Sequence, residues 1–273
     1  MAAMERREFL LGGSALAALP LAAAGPSRII DTHTHFYDPF RPQGAPWPPK
    51  DNELLYRAVL PPEFRRLTEP LGVTGTVVVE ASPWVEDNQW ILDLAAEHPI
   101  IVGTVGNLDP RESDFHRNLD RFAKNPLFRG IRIGRLWGRD FAGAPDPKLT
   151  AAVKALATAG LEADMVGGPP ILSAVLGVTD RVPDLRVVID HLPFDPPADA
   201  AARAAYQREL RELGQRPLVY IKVSNVLRER NGRVPDTAGA YRESLDELWE
   251  IFGPDRLVYG SNWPVSNRVA PYA

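Results

Sequence analysis

The chain has 273 residues, a length that fits one large α/β barrel or two smaller domains. Hydrophobic residues make up 45% and charged residues 24% of it, an ordinary globular composition that excludes wholesale disorder. The net charge is −4 and no polybasic run follows the N-terminus, so nucleic acid and anionic membranes are not expected partners. Cysteine is absent, which excludes disulfides and thiolate chemistry and leaves five histidines plus carboxylates for any catalytic or metal site.

The N-terminus has the pattern of a targeting segment. An Arg6-Arg7 pair precedes a weakly apolar Gly/Ala/Leu run that ends in the small residues Ala22–Ala24. This pattern predicts a twin-arginine signal peptide over residues 1–24 and a mature domain over 25–273, exported to the periplasm or the extracellular space. The apolar run is short and interrupted by glycine, so no stable membrane span is expected after signal removal.

The rest of the chain alternates between short β-branched runs and helical stretches. Helices are predicted where apolar residues recur three and four positions apart, as in EDNQWILDLAAEH, ESDFHRNLDRFAK, DPKLTAAVKALATAG and AYRESLDELWEIFG. Eight strands with helices between them predict an α/β fold, the (β/α)8 TIM barrel, and a doubly wound open sheet is the alternative. The eight predicted strands are RIIDTHTHF, TGTVVVEAS, IIVGTVGNL, FRGIRIG, GLEADMV, LRVVIDHL, LVYIKVSN and RLVYGSN.

Two segments depart from this regular pattern. Residues 37–60 form a long proline-rich stretch after the first strand, interpreted either as a functional loop or as a structural lid over the barrel mouth. Ala273 follows the eighth strand too closely for a full helix, so the eighth helix is expected to be missing. Either the sequence is a fragment, or a partner, such as a second copy in a homo-oligomer, covers the apolar seam between the first and last strands.

Histidines occur at the ends of two predicted strands. Because side chains alternate along a strand, Asp31, His33 and His35 are expected to face the barrel interior together. Two imidazoles at the carboxyl end of a strand can bind a divalent metal or polarise a carbonyl group. His191 ends the sixth strand, and with its side chain inward the preceding Asp190 is expected to face the helices.

Five further polar residues lie on or after predicted strands. Glu80, Arg132, Asp164 and Lys222 belong to strands two, four, five and seven. Arg132 and Lys222 are interpreted either as a clamp for a substrate carboxylate or as partners of Glu80 and Asp164 in an ion network. Asn262 follows the eighth strand, where its amide can hydrogen-bond a substrate but cannot act as a strong base.

Taken together, these motifs resemble the amidohydrolase-related family. From residue 28 to the C-terminus the segments DTHTHFYDP, FRGIRIG, LRVVIDHL, YIKVSN and RLVYGSNWPVS are similar to its branch of sugar-lactone and dicarboxylate-lactone hydrolases. The resemblance implies a distorted TIM barrel that adds water to a lactone or a similar cyclic ester of small size. It also implies that His33, His35 and His191 match the family's catalytic histidines.

The resemblance also bears on the base and on the metal. Asn262 stands where the family usually has an aspartate, which activates the water and ligates a metal where one is present. Strand five lacks the histidine that completes the metal site of other amidohydrolases, and some lactonases of this branch work without a metal. The implied cofactor is therefore either none or one divalent zinc or manganese ion, with His33 and His35 as ligands. With an amide at position 262, Asp164 or Glu80 is the candidate base.

The sequence thus predicts a hydrolase that opens a lactone or a related cyclic ester. Two alternatives remain at this stage: a ligand-binding protein that lost catalysis with its aspartate, and a divalent-metal-dependent amidohydrolase or decarboxylase. The first is distinguished by whether a carboxylate lies within reach of a water in the histidine pocket. The second is distinguished by the metal content of the purified protein.

Overall fold

A computed structural model describes residues 28–134, 147–229, 232–235 and 237–272. In this part of the chain eight parallel strands form one sheet, in which each strand pairs with the next in sequence. The predicted signal peptide lies outside the described residues. The strands are β1 (Ile29–Thr34), β2 (Val73–Val79), β3 (Ile101–Gly106), β4 (Phe128–Ile133), β5 (Glu162–Met165), β6 (Arg186–Leu192), β7 (Val219–Val223) and β8 (Leu257–Tyr259).

Helices connect successive strands, as parallel pairing requires. Two helix starts show ordinary capping chemistry: Pro61 occupies the first turn of one helix, and the Asp199 side chain accepts the N–H of Ala202 at the start of another. None of the helices in the described ranges is long and apolar enough to cross a membrane. The helices are α1 (Pro61–Thr68), α2 (Glu86–Glu97), α3 (Phe115–Phe122), α4 (Pro147–Thr158), α5 (Ile171–Arg181), α6 (Ala200–Gly214) and α7 (Gly239–Phe252).

The sheet closes into a barrel because the chain beyond β8 pairs with β1. The N–H of Asn262 donates to the carbonyl of His33 at 2.8 Å, and the N–H of His35 donates to the carbonyl of Trp263 at 2.9 Å. Thr34 and Trp263 also form a parallel bridge. The predicted (β/α)8 barrel is therefore confirmed, and the open-sheet alternative is wrong.

The chain that follows β8 covers part of this closure. The described residues beyond β8 contain a 3-10 turn, Val265–Arg268, and no α-helix. The Tyr272 hydroxyl donates to the Asp31 carboxylate at 2.9 Å, and the Tyr272 ring packs against Phe64 of α1. Ile29 and Tyr259 nevertheless remain 40% and 49% exposed, so the apolar seam is only partly covered.

The core consists of two clusters that hold the strand ends in place. The larger fills the space between β4–β7 and their helices, with Ile131 and Ile221 fully buried. The smaller lies around β1 and α1 and includes Phe36, Phe64 and the fully buried Trp263. Because strands of a parallel barrel are covered on both sides, these clusters fix the positions of the polar side chains at the carboxyl ends of the strands.

Candidate active site

Three histidines meet at the carboxyl ends of β1 and β6. The ring centroid of His33 lies 5.0 Å from that of His35 and 4.5 Å from that of His191. His33 is fully buried and His35 is 5% exposed. The alternation along β1 therefore predicted correctly that these two imidazoles share one face, and the structure brings the third histidine to them.

Asp31 does not join these histidines. Its carboxylate accepts the N–H groups of His33 and Ser261 at 3.1 and 2.9 Å, together with the hydroxyl of Tyr272. It thus connects β1 to the chain beyond β8. The expectation that Asp31 faces the interior with the histidines assumed a regular strand, whereas the β1–β2 register shifts between Asp31 and Thr34.

The expectation that Asp190 faces the helices is wrong. Asp190 is fully buried, and its carboxylate lies 3.1 Å from Lys222, 3.3 Å from Arg132 and 3.5 Å from His33. His191 has a φ of 68°, in the left-handed region, so strict alternation ends there and the side chains of both residues reach the inner cluster. Burial opposes ionisation of Asp190, but Lys222, His33 and Arg132 hold its pKa well below the usual value.

Lys222 forms a buried ion pair beneath the histidines. Its ammonium donates a short hydrogen bond to Asp164, and all three groups of the Asp164–Lys222–Asp190 cluster are at most 3% exposed. Burial opposes the charge on Lys222, but the two carboxylates outweigh it and raise the pKa of the amine. Lys222 and Asp164, both assigned to substrate binding by sequence, thus adopt the ion-network arrangement and do not line the pocket.

A pocket of about 380 Å³ opens beside this cluster, and it is lined by the other predicted residues except His33. Glu80 and Arg132 face each other across its wall, with 3.7 Å between the carboxylate and the guanidinium. Burial raises the pKa of Glu80 to about 7, and the positive charge of Arg132 opposes this shift. The lining residues are His35, Trp47, Glu80, Ala81, Arg132, His191, Asn262 and Val265.

The pocket histidines are neutral. Burial lowers the pKa of His35 to about 3 and that of His191 to about 4, and the Arg132 guanidinium adds to both shifts. At neutral pH these imidazoles can accept or donate hydrogen bonds but carry no charge. Nδ1 of His35 lies 3.0 Å from the carbonyl of Val79, so that nitrogen carries the proton.

Asn262 contacts His35 from the opposite side of the barrel seam. Its amide oxygen Oδ1 lies 3.2 Å from Nε2 of His35, and its φ of 60° turns the chain back toward β1. The close approach of this segment to β1 requires glycine at position 260, because a Cβ there would lie 2.6 Å from the Cβ of His33. The sequence G-S-N-W-P therefore places an amide, rather than a carboxylate, beside His35.

One group of donors in the described residues has the composition of a metal site. Donor atoms of His33, Asp190 and His191 lie within 4.8 Å of one another. Both ring nitrogens of His33 are buried without a hydrogen-bond partner, and the ionised Asp190 carboxylate lies 3.5 Å from one of them, which fits two imidazoles and a carboxylate around a divalent cation. The predicted pair of His33 and His35 is not this set, because Nε2 of His35 faces Asn262.

Three residues of this region carried no functional role in the sequence reasoning. Asp190 was assigned to the helix face, and no signal in the sequence reveals the left-handed residue that follows it. Ser224 contacts Nδ1 of His191, but in the sequence nothing distinguishes it from any other small polar residue after a strand. Trp47 lies in the proline-rich stretch 37–60, whose position after the first strand was the available signal.

Comparison with known proteins agrees with this geometry. The chain is 33% identical over 237 residues to L-fucono-1,5-lactonase of Burkholderia ambifaria, covering 87% of this chain and 80% of that protein. The L-fucono-1,5-lactonase of Burkholderia multivorans is 28% identical over 268 residues, covering 89% and 84%.

Solved structures show the same barrel. An amidohydrolase from Burkholderia multivorans with bound zinc superposes with a TM-score of 0.76 at 26% identity, covering 90% of this chain and 88% of that one. An amidohydrolase 2 from Bifidobacterium longum superposes with a TM-score of 0.67 at 25% identity and the same coverage. Residues 30–273, from β1 through the Asn262 segment, match the sequence profile of amidohydrolases, and the chain therefore belongs to the amidohydrolase family.

Proposed function

We propose that this chain hydrolyses a small lactone, adding water to the ester carbonyl of a cyclic sugar-acid derivative. The observation that carries the proposal is the pair formed by Glu80 and Arg132 on the wall of the histidine pocket. A carboxyl group with a pKa of about 7 can take a proton from water at neutral pH, and a neighbouring guanidinium can stabilise developing negative charge. The relatives named L-fucono-1,5-lactonase support a lactone as the substrate class.

The proposed reaction uses Glu80 first as base and then as acid. Glu80 accepts a proton from water while the water oxygen attacks the carbonyl carbon, and the carbonyl electron pair moves to its oxygen beside Arg132. The tetrahedral intermediate then collapses, the ring C–O bond breaks, and the proton on Glu80 passes to the leaving oxygen, which gives an open hydroxy acid. Asp164, the other candidate base, is fully buried against Lys222 and does not line the pocket.

The proposal includes a divalent-cation site at His33, Asp190 and His191, for zinc or manganese. A cation bound there would polarise the substrate carbonyl. The zinc in the related Burkholderia multivorans structure supports this assignment. Lys222 and Arg132 lie 3.1 and 3.3 Å from Asp190. Their positive charges repel a divalent cation at this site, so we expect the cation to bind weakly.

The rival interpretation, a ligand-binding protein without catalysis, requires a histidine pocket that lacks a carboxylate. Glu80 lines the same pocket as His35 and His191, which favours an enzyme. A metal-dependent amidase or decarboxylase has its support only in the metal cluster, and an assay after chelation separates it from the lactonase.

The test is hydrolysis of a panel of sugar-acid lactones by the purified protein, after chelation and with added zinc or manganese. We expect turnover that persists after chelation, with kcat/KM rising with pH through an apparent pKa near 7, because the base must lose its proton. Glu80→Gln should lower kcat/KM by about 10²–10⁴-fold and abolish the ascending limb. The matched control is Glu97→Gln at the exposed end of α2.

Two results would overturn the proposal. The first is the absence of turnover for every lactone under every metal condition. The second is a Glu80→Gln variant with wild-type rate and an unchanged pH profile, which would place the base elsewhere.

We also propose that the first 24 residues direct export, on the support of the Arg6-Arg7 pair and the small residues at 22–24. Replacing both arginines by lysine should leave the precursor inside the cell. Unchanged export of that variant would contradict the twin-arginine route.

A further inference from the structure

A buried serine lies behind His191, and neither the family resemblance nor the proposed reaction gives it a role. Ser224 follows β7 and is 1% exposed, and its hydroxyl oxygen lies 2.8 Å from Nδ1 of His191. The other ring nitrogen, Nε2, lies 3.3 Å from Nη2 of Arg132. Each nitrogen of this imidazole therefore has a partner of its own.

The arginine determines which nitrogen carries the proton. A guanidinium offers only N–H donors, so Nε2 of His191 must present its lone pair to Arg132. The ring proton then lies on Nδ1, and Nδ1–H donates to the hydroxyl oxygen of Ser224. The opposite tautomer, or a protonated ring, would direct an N–H of Nε2 at the N–H groups of Arg132.

The backbone around His191 needs this support. Its φ of 68° is rare for a residue with a side chain, and such conformations persist only where the surrounding structure holds them. The main-chain N–H of Ser224 donates to the carbonyl of Leu192 at 3.3 Å, so Ser224 binds this segment through both main chain and side chain. Its position is thus coupled to that of the ring.

We propose that Ser224 is a positioning residue that accepts the Nδ1–H of His191 and so holds the ring in the orientation that presents its Nε2 lone pair to Arg132 at the pocket wall. In the structure the N–H of Arg132 meets that lone pair, and a substrate hydroxyl or a cation bound by His191 would take the place of this N–H. An acceptor for the distal ring N–H is the usual means by which proteins orient such a histidine. Only the kinetic arm of the test below rests on the proposed lactone hydrolysis.

The direct test is ¹⁵N NMR of the histidine rings in the wild-type protein near neutral pH. The chain has five histidines, and the signals of His191 are identified by their loss in His191→Gln. We expect a protonated Nδ1 and an unprotonated Nε2 for His191. A protonated Nε2 would overturn the proposal, whatever the protein hydrolyses.

Variants at position 224 test the role. Ser224→Ala leaves a buried N–H without an acceptor, so we expect shifted His191 ring signals from a less well held ring and a fall in kcat of about 10–100-fold with little change in KM. Ser224→Thr keeps the hydroxyl and should restore the wild-type ring signals and most of kcat. Ser173→Ala removes a hydroxyl that binds Glu209 in the helix layer and serves as the control.

A Ser224→Ala variant with the wild-type His191 ring signals and wild-type kcat would contradict the proposal. A Ser224→Thr variant with the ring signals and kcat of the alanine variant, but with the melting temperature of the wild type, would also contradict it. If Ser224→Ala fails to fold, the wild-type spectrum and the threonine variant still decide between the outcomes.

Discussion

At the scale of single residues, position 262 carries an amide where the family resemblance implies an aspartate. An aspartate at 262 could accept a proton, but its carboxylate would bring a negative charge and no N–H group to the neutral ring of His35, whose Nε2 lies 3.2 Å from the amide oxygen of Asn262. With Glu80 as base, we expect Asn262→Asp to leave kcat/KM unchanged or to lower it. The measurement is kcat/KM of both proteins on the best lactone of the panel.

One companion variant is needed to interpret this result. Asn262→Ala removes the amide without adding charge and separates the loss of the His35 contact from the effect of a new carboxylate. If Asn262→Asp instead raised kcat/KM by about 10²-fold or more, the general base would belong at position 262 and the role of Glu80 would be refuted.

The residues of the site were predictable in part from their positions on the predicted strands. His33 and His35 followed from period-two alternation on β1, and Glu80 and Arg132 from their positions on buried strands. Asp190 was not predictable, because the left-handed φ of His191 is a tertiary effect. The choice between a substrate clamp and an ion pair for Lys222 also required the distances, since the same residue type serves both roles.

At the scale of elements, the loop 37–60 supplies the aromatic wall of the pocket. Its ends are joined by the Tyr37–Val59 bridge, and Arg41 anchors its first part. The Arg41 guanidinium binds both oxygens of Asp87 on α2 at 2.6 Å, donates to the carbonyl of Gly44, and lies 4.6 Å from the ring centroid of Trp90.

This anchor predicts the behaviour of Arg41→Ala. Without it the segment that carries Trp47 is less well held over the pocket. We expect a loss of about 1–2 kcal/mol of loop anchoring, seen as a rise in KM of roughly 5–30-fold with a smaller change in kcat. Arg57→Ala is the matched control, because Arg57 binds Glu63 at 2.6 Å at the far end of the loop.

Equal kinetics for the two variants would show that Arg41 does not position the pocket wall. The length and proline content of this segment indicated a functional loop or a lid, but its fixed shape depends on side chains of α2. Periodicity reports which face of an element is buried, and it carries no information on contacts between a loop and a distant helix.

At the scale of the whole molecule, eight alternating units sufficed to predict the barrel, because each apolar strand needs cover on both sides. The closure was harder to predict. The pairing of β8 with β7 ends at Tyr259. Closure after that residue depends on two backbone hydrogen bonds between the Asn262 segment and β1, and on the Asp31 carboxylate. These are contacts between residues more than 225 positions apart, which no local pattern encodes.

Tyr272 is the residue that tests this closure. Its hydroxyl donates to the buried carboxylate of Asp31 at 2.9 Å, and a hydrogen bond to a charged group stabilises a fold by about 1.5–3 kcal/mol. Tyr272→Phe keeps the ring against Phe64 and should lower the unfolding free energy in urea by that amount, with kcat/KM unchanged. Tyr56→Phe, a loop tyrosine that packs against Phe40, is the control. A Tyr272→Phe protein as stable as that control would mean that the Tyr272–Asp31 hydrogen bond adds nothing to closure. The backbone pairing of β1 with the Asn262 segment would then close the barrel alone.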